Sequence, residues 1–151
     1  MPSKKLPNNA LIPEILQKVS NAKTKEEKVS LLREYNSQGL RSVLIINFDD
    51  SLEFLLPEGD VPYNKNEAPI GTEHTRLDHE YKKFYRFFKG GDGSLNSVKR
   101  EQLFIGLLES LHYTEADTFI LACNKNLQEK YRVTKAVVSE AFPQIQWGNR
   151  G

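Results

Sequence analysis

Between Leu11 and Ala22 the apolar side chains Ile12, Ile15, Leu16 and Val19 recur at i, i+3, i+4 and i+7. That spacing lines one face of an α-helix, and Pro13 is tolerated in its first turn. Thr24 stands three residues ahead of Glu27, a capping-box spacing that predicts a second helix to about Tyr35, with Val29, Leu32 and Tyr35 facing inward. Ser37 reads as the cap of a third helix, which carries Leu40, Val43, Leu44, Ile45 and Ile46 to Phe48. The β-branched run also fits a short strand, and helix is preferred because no partner strand is visible. The stripe resumes at Leu77, Tyr81, Phe84 and Phe88, predicting an aromatic helix from about Glu73 to Phe88. Gly90, Gly91 and Gly93 break it, since glycine allows positive φ and close backbone approach. A further helix is expected from Asn96 to His112 on Leu103, Phe104, Leu107, Leu108 and Leu111. Thr114 and Asp117 open the next, which buries Ala116, Phe119, Ile120 and Cys123, and after a polar connection containing Leu127, Thr134 caps a last helix stopped at Phe142 and Pro143.

The segment Asp49–Thr72 interrupts this series with Pro57, Pro62, Pro69, Gly59 and Gly71, leaving room only for a short helical extension over Ser51–Leu56. Connections longer than about 12 to 15 residues are usually functional or mobile, so the segment is a binding arm, an acidic cover or a plain surface loop. No repeat and no strand alternation is visible. The expectation is an all-α single compact domain of about seven or eight helices over residues 11–145, between a tail at 1–10 and a tail at 146–151.

Composition narrows the setting. A chain of 151 residues is of single-domain size. No apolar run reaches the roughly 18 residues of a membrane span, and the lysine- and proline-rich start has no signal core, so a soluble intracellular protein with no membrane contact is expected. The single Cys123 excludes an intramolecular disulfide and a cysteine zinc knuckle, and reads as a small buried hydrophobe. A net charge of +1 conceals asymmetry: residues 1–48 carry eight basic against four acidic side chains, and residues 49–72 one against six.

Catalysis has no visible carrier. His79-Glu80 resembles the opening of a zincin motif, but Lys83 occupies the place of the second histidine, and no metal site is expected. His74 and His79 are five apart and do not share a helix face, whereas His74 and Asp78 could pair near a helix start. Lys89-Gly90-Gly91-Asp92-Gly93 lacks the end of a Walker loop and has one residue too many for a Lys-x-Asp-Gly motif. Nothing around Cys123 suggests a nucleophile, and no cofactor motif is present. The stronger signal is basic side chains beside helix starts, where backbone N–H groups and Lys or Arg together suit phosphate. One cluster comprises Lys89, Ser94, Asn96, Ser97, Lys99 and Arg100; the other comprises Lys125, Lys130, Arg132, Thr134 and Lys135. The bland reading of each is solvated surface charge.

The helices as a series resemble the all-α N-terminal DNA-binding domain of T-even-type phage ATP-dependent DNA ligases. Glu14-Ile15-Leu16-Gln17-Lys18-Val19, then Thr24-Lys25-Glu26-Glu27-Lys28 and Leu31-Leu32, is similar to that family's ILNEI-type helix and STKQK-type cap. The glycine turn before Ser97–Leu111 falls where the family has a Thr-Gly-Asn turn, and Leu127 with Thr134–Pro143 is similar to its closing segment, over roughly Ile12 to Ile145. The chain departs from the family at Glu129-Lys130-Tyr131-Arg132, which replaces a glycine turn, and it has no nucleotidyltransferase or OB part, so ligation is not expected. It is also similar to a small uncharacterised protein family of T-even-related phages and cyanophages. The resemblance implies a non-catalytic phage accessory protein that grips the DNA backbone, duplex or nicked, with little sequence preference. It places Ser94, Ser97, Lys99 and Arg100 at one contact and Arg132, Thr134 and Lys135 at the other; Lys89 and Lys130 join them as members of the same basic clusters, with Lys23 and Lys25 as a weaker addition. It implies the infected host's cytoplasm, with the virion as the other location. The alternative is a module that binds a phage or host protein through the acidic segment, favoured by a pI near 7.8 where a specialist DNA binder would exceed about 9. An enzyme site around His74, Asp78 and Asp92 has the least support.

Overall fold

The computed structural model describes residues 6, 10–56, 63–65 and 74–148. Among them are eight α-helices and one 3-10 helix: α1 (Ile12–Asn21), α2 (Lys25–Glu34), α3 (Gln38–Phe48), α4 (Leu77–Glu80), the 3-10 helix Tyr81–Phe87, α5 (Ser97–Ser110), α6 (Tyr113–Cys123), α7 (Leu127–Lys130) and α8 (Lys135–Ala141). No strand occurs among the described residues, only two isolated bridges, Phe54 with Phe88 and Thr75 with Leu111. The fold is a single all-α domain around one core.

Local chemistry sets most helix starts. Thr24, Ser37, Asn96 and Thr134 each accept the backbone N–H three residues on, at Glu27, Leu40, Lys99 and Val137, which satisfies an N–H that the helix cannot pair internally. Helix α6 is the hub and packs on α1, α3, α5 and α7, while α8 closes the other side against α2. Leu16, Val19, Leu32, Leu40, Val43, Leu44, Leu108, Phe119 and Val138 are fully buried, each worth about 1.5 to 3 kcal/mol in area removed from water. Phe54, Phe84, Phe87, Phe88, Phe104 and Phe119 form a continuous aromatic cluster with centroids 4.6–6.2 Å apart.

Four sequence expectations are corrected. The aromatic helix begins at Leu77, makes one α-turn and tightens into the 3-10 helix. Three residues per turn put Phe84 and Phe87 in one inward row, leaving Tyr85 48% exposed. Ser51–Leu56 is not helical: the Asp49 carboxylate accepts from the backbone and hydroxyl of Ser51, and the chain extends so that Leu55 N–H donates to Phe87 and Lys89 N–H to Glu53. His112 does not close α5 but caps α6, its Nδ1 accepting from Thr114 N–H at 3.3 Å in place of the expected Thr114 start. Leu127 belongs to a short helix, not to a polar connection.

Of the glycines, Gly90 takes φ +84°, and a Cβ on Gly91 would fall 1.9 Å from the Tyr85 carbonyl oxygen, so both freedoms expected of this turn are used. Residues 146–148 of the expected tail are fastened: Trp147 Nε1 donates to Ser139 Oγ at 3.0 Å and Gly148 N–H to Asp49 Oδ2 at 3.0 Å. Most of the acidic segment, residues 57–62 and 66–73 with Glu58, Asp60 and Glu67, lies outside the described residues, as do 1–5, 7–9 and 149–151.

Candidate nucleic-acid interface

The first basic cluster surrounds the start of α5. The Asn96 side-chain oxygen Oδ1 accepts from Lys99 N–H at 2.8 Å, and Ser97, Lys99, Lys89 and Ser94 are all exposed. Asp92 organises the turn before the helix: its Oδ1 accepts from Ser94 Oγ at 2.6 Å and Ser94 N–H at 3.0 Å. The Ser94 hydroxyl and then its N–H hold the Asp92 carboxyl below its ordinary value. Arg100 differs from its neighbours. Its Nε donates to the Arg86 carbonyl at 3.0 Å, and its Nη2 to those of Leu95 at 3.1 Å and Asp92 at 3.3 Å, so the guanidinium fastens the turn to the helix. Lys89 forms a 3.7 Å ion pair with Glu53 in which both side chains are over 60% exposed, a pairing worth little in water. Among the described residues the Lys99 ammonium has no partner.

The second cluster is built from two distant stretches. Lys28 on α2 donates to the Arg132 carbonyl, and Arg132 N–H donates to Ser20 Oγ at 2.8 Å, which leaves the Arg132 guanidinium directed outward and without a partner among the described residues. Lys130 lies 5.6 Å from the Tyr131 ring centroid and Lys135 5.1 Å from that of Trp147, so both cations rest against aromatic faces. Thr134 caps α8, and Lys25 pairs with Glu140 at 3.5 Å. Sequence inspection missed Lys28, which has no local sign beyond its place on the outer face of α2. Lys125, expected in this cluster, lies elsewhere: at φ +60° its ammonium donates to the Ile46 and Asp49 carbonyls, both at 2.8 Å, and closes the C-terminus of α3. Burial lowers the Lys125 pKa, with Asp50 and Asp49 opposing. The two clusters are not joined: α5 packs on α6 and the 3-10 helix, α8 on α2.

The residues of the enzyme reading are held apart. Asp78 Oδ1 accepts from Gly39 N–H at 3.1 Å, Asp92 stays in its turn, and His74 meets His112 instead of Asp78, ring edge to face at 5.2 Å. Burial and then the neighbouring His74 lower the His112 pKa, with Glu14 opposing. Neither His74 ring nitrogen has a hydrogen-bond partner. No set of three or more His, Cys, Asp or Glu able to hold a metal occurs among the described residues. Burial raises the Cys123 thiol well above its ordinary value, the opposite of what a nucleophile requires. Among the described residues no helix is long and apolar enough to cross a membrane.

Fold and surface together define an all-α domain bearing two separate basic patches on fixed turns. The chain belongs to DUF6433, a family of unknown function, which it matches over residues 15–129. That span contains the α5 cluster and ends one residue before Lys130, the first member of the second. No curated protein and no solved structure matches the chain.

Proposed function

We propose that this protein is a non-catalytic accessory factor that binds the sugar-phosphate backbone of DNA with little sequence preference. The convergence of cations between α2 and the α7–α8 turn carries the reading. Lys28 and Arg132, 104 residues apart, are tied together by a hydrogen bond from the Lys28 ammonium to the Arg132 carbonyl, and Lys130 and Lys135 flank them. Cations held on fixed turns lose less freedom on meeting a phosphate than lysines on mobile stems do. Ser97 and Lys99 form the second contact, with Lys89 and Ser94 beside them and Arg100 as the residue that positions their turn. The likeness of the helix series to the ligase DNA-binding domain supports the same activity, and with it a phage origin and a place in the host cytoplasm.

Anisotropy of a labelled blunt duplex at two salt concentrations tests this. Arg132→Glu and Lys99→Glu should each weaken binding alike for unrelated sequences and reduce the salt slope by about 1. Among the described residues the Arg132 and Lys99 side chains make no hydrogen bond or ion pair, so helicity should be unchanged. Absence of salt-sensitive binding at low ionic strength overturns the reading and turns attention to a protein partner for the acidic segment 49–72.

A further inference from the structure

A groove of about 760 Å³ runs between α1, the start of α6 and the end of α7. Its size falls within the range of small-ligand sites, about 300 to 1,000 Å³. Lys18 and Glu14 line the α1 side, with His112, Tyr113, Lys130 and Tyr131 opposite. Tyr113 is 37% exposed although it stands in the first turn of a packed helix. Its ring lies against His112 with centroids 4.7 Å apart and planes 30° from parallel. His112 is held in turn by the Thr114 hydroxyl, 2.7 Å from Nδ1, and by the edge-on ring of His74. Tyr113 is therefore a flat aromatic surface braced from beneath, with little side-chain freedom left to lose on stacking. Lys130, also in the lining, supplies a cation beside the Tyr131 ring. The Glu14 carboxylate, also in the lining, accepts from Leu11 N–H at 2.9 Å and so serves the start of α1.

We propose that this groove binds a single nucleotide, its base stacked on Tyr113 and its phosphate paired with Lys130. A free nucleotide and an unpaired nucleotide at a strand end present the same chemistry. The strand-end form rests on the DNA-binding reading; the free form does not.

The probes are 2-aminopurine deoxyribonucleoside monophosphate and a duplex ending in one unpaired 2-aminopurine nucleotide, whose fluorescence falls on stacking. Quenching of either probe by the wild-type protein supports the groove and identifies the source. Tyr113→Ala should then weaken binding on the order of tenfold and Tyr113→Phe should preserve it. Should Tyr113→Ala lower the thermal midpoint, Lys130→Glu replaces it and is expected to weaken the monophosphate but not the phosphate-free nucleoside. No quenching of either probe, or quenching undiminished in Tyr113→Ala and Lys130→Glu, overturns the proposal. Blunt-duplex anisotropy of the wild-type protein separates the two readings: duplex binding without quenching removes the groove alone, and monophosphate quenching without duplex binding removes the backbone grip alone.

Discussion

Glu115 shows how much a single buried side chain organises here. Its carboxylate accepts from Leu77 N–H at 3.0 Å and Ile12 N–H at 3.3 Å, and so serves the starts of α4 and α1 together, two helices whose own N-caps, Arg76 and Leu11, make no side-chain capping bond. Burial raises its pKa above the ordinary 4.5, opposed by those two N–H donors and by Arg76. A raised carboxyl binds more protons in the folded than in the unfolded state, so its contribution is greatest below about pH 4.5 and declines as pH rises through the folded-state value. Urea titrations of wild type and Glu115→Gln should therefore show a stability difference that changes over that window and levels off above it. At neutral pH the variant should be less stable by about 1 to 3 kcal/mol, because glutamine retains one acceptor oxygen for two buried donors. A pH-independent difference would show that the carboxyl titrates as it does in the unfolded chain. Nothing local marks Glu115: its partners are 103 and 38 residues away. Thr24, Ser37, Asn96 and Thr134 were legible because their partner is always three residues on. For Arg100 and Lys125 the side-chain partners were hidden in the sequence for a related reason. A basic side chain near a turn reads as surface charge, and only the fold shows that its partners are backbone carbonyls.

At the scale of elements, helix positions were readable wherever one face is apolar and one end is capped, which covers α1, α2, α3, α5, α6 and α8. The aromatic stretch was not, because its geometry is decided by pairing with the Phe54 segment, which lies across a proline-rich connection. The glycine turn that ends it gives a graded prediction. Gly91→Ala brings a Cβ onto a backbone oxygen and should cost the most, about 1 to 3 kcal/mol. Gly90→Ala is strained at φ +84° and should cost roughly 1 to 2 kcal/mol, and Gly93→Ala, with nothing within 4 Å, under about 0.5. Chemical denaturation of the three variants checks the order; equal costs would mean that the turn relaxes as a unit. Gly39→Ala belongs with the first, since its Cβ would meet the Asp78 Cα at 2.5 Å and separate α3 from α4.

For the whole molecule, the core links the first helices to the last. Arg33 on α2 donates from Nε to the Ala141 carbonyl at 3.1 Å and from Nη2 to that of Glu140 at 2.8 Å, and Asp49 holds Gly148. A domain tied in this way should unfold as one unit. Trp147, the single tryptophan, packs beside α8, so its fluorescence and the far-UV circular dichroism should report one shared midpoint. An earlier fluorescence transition would show that the C-terminal segment detaches by itself. The patches follow from the same closure: the second exists only once α2 and the α7–α8 turn have met, which is why its Lys28 was invisible in the sequence, whereas the members of the α5 cluster are near neighbours along the chain. The Glu115 carboxylate has a further consequence during synthesis. Ile12 leaves the ribosome about a hundred residues ahead of its acceptor, an interval of roughly 5 to 20 s at ordinary elongation rates. Over that time α1 and α2 are made but have neither Glu115 nor α8 to close on, so Leu16, Val19 and Leu32 wait for the C-terminal half to complete their burial.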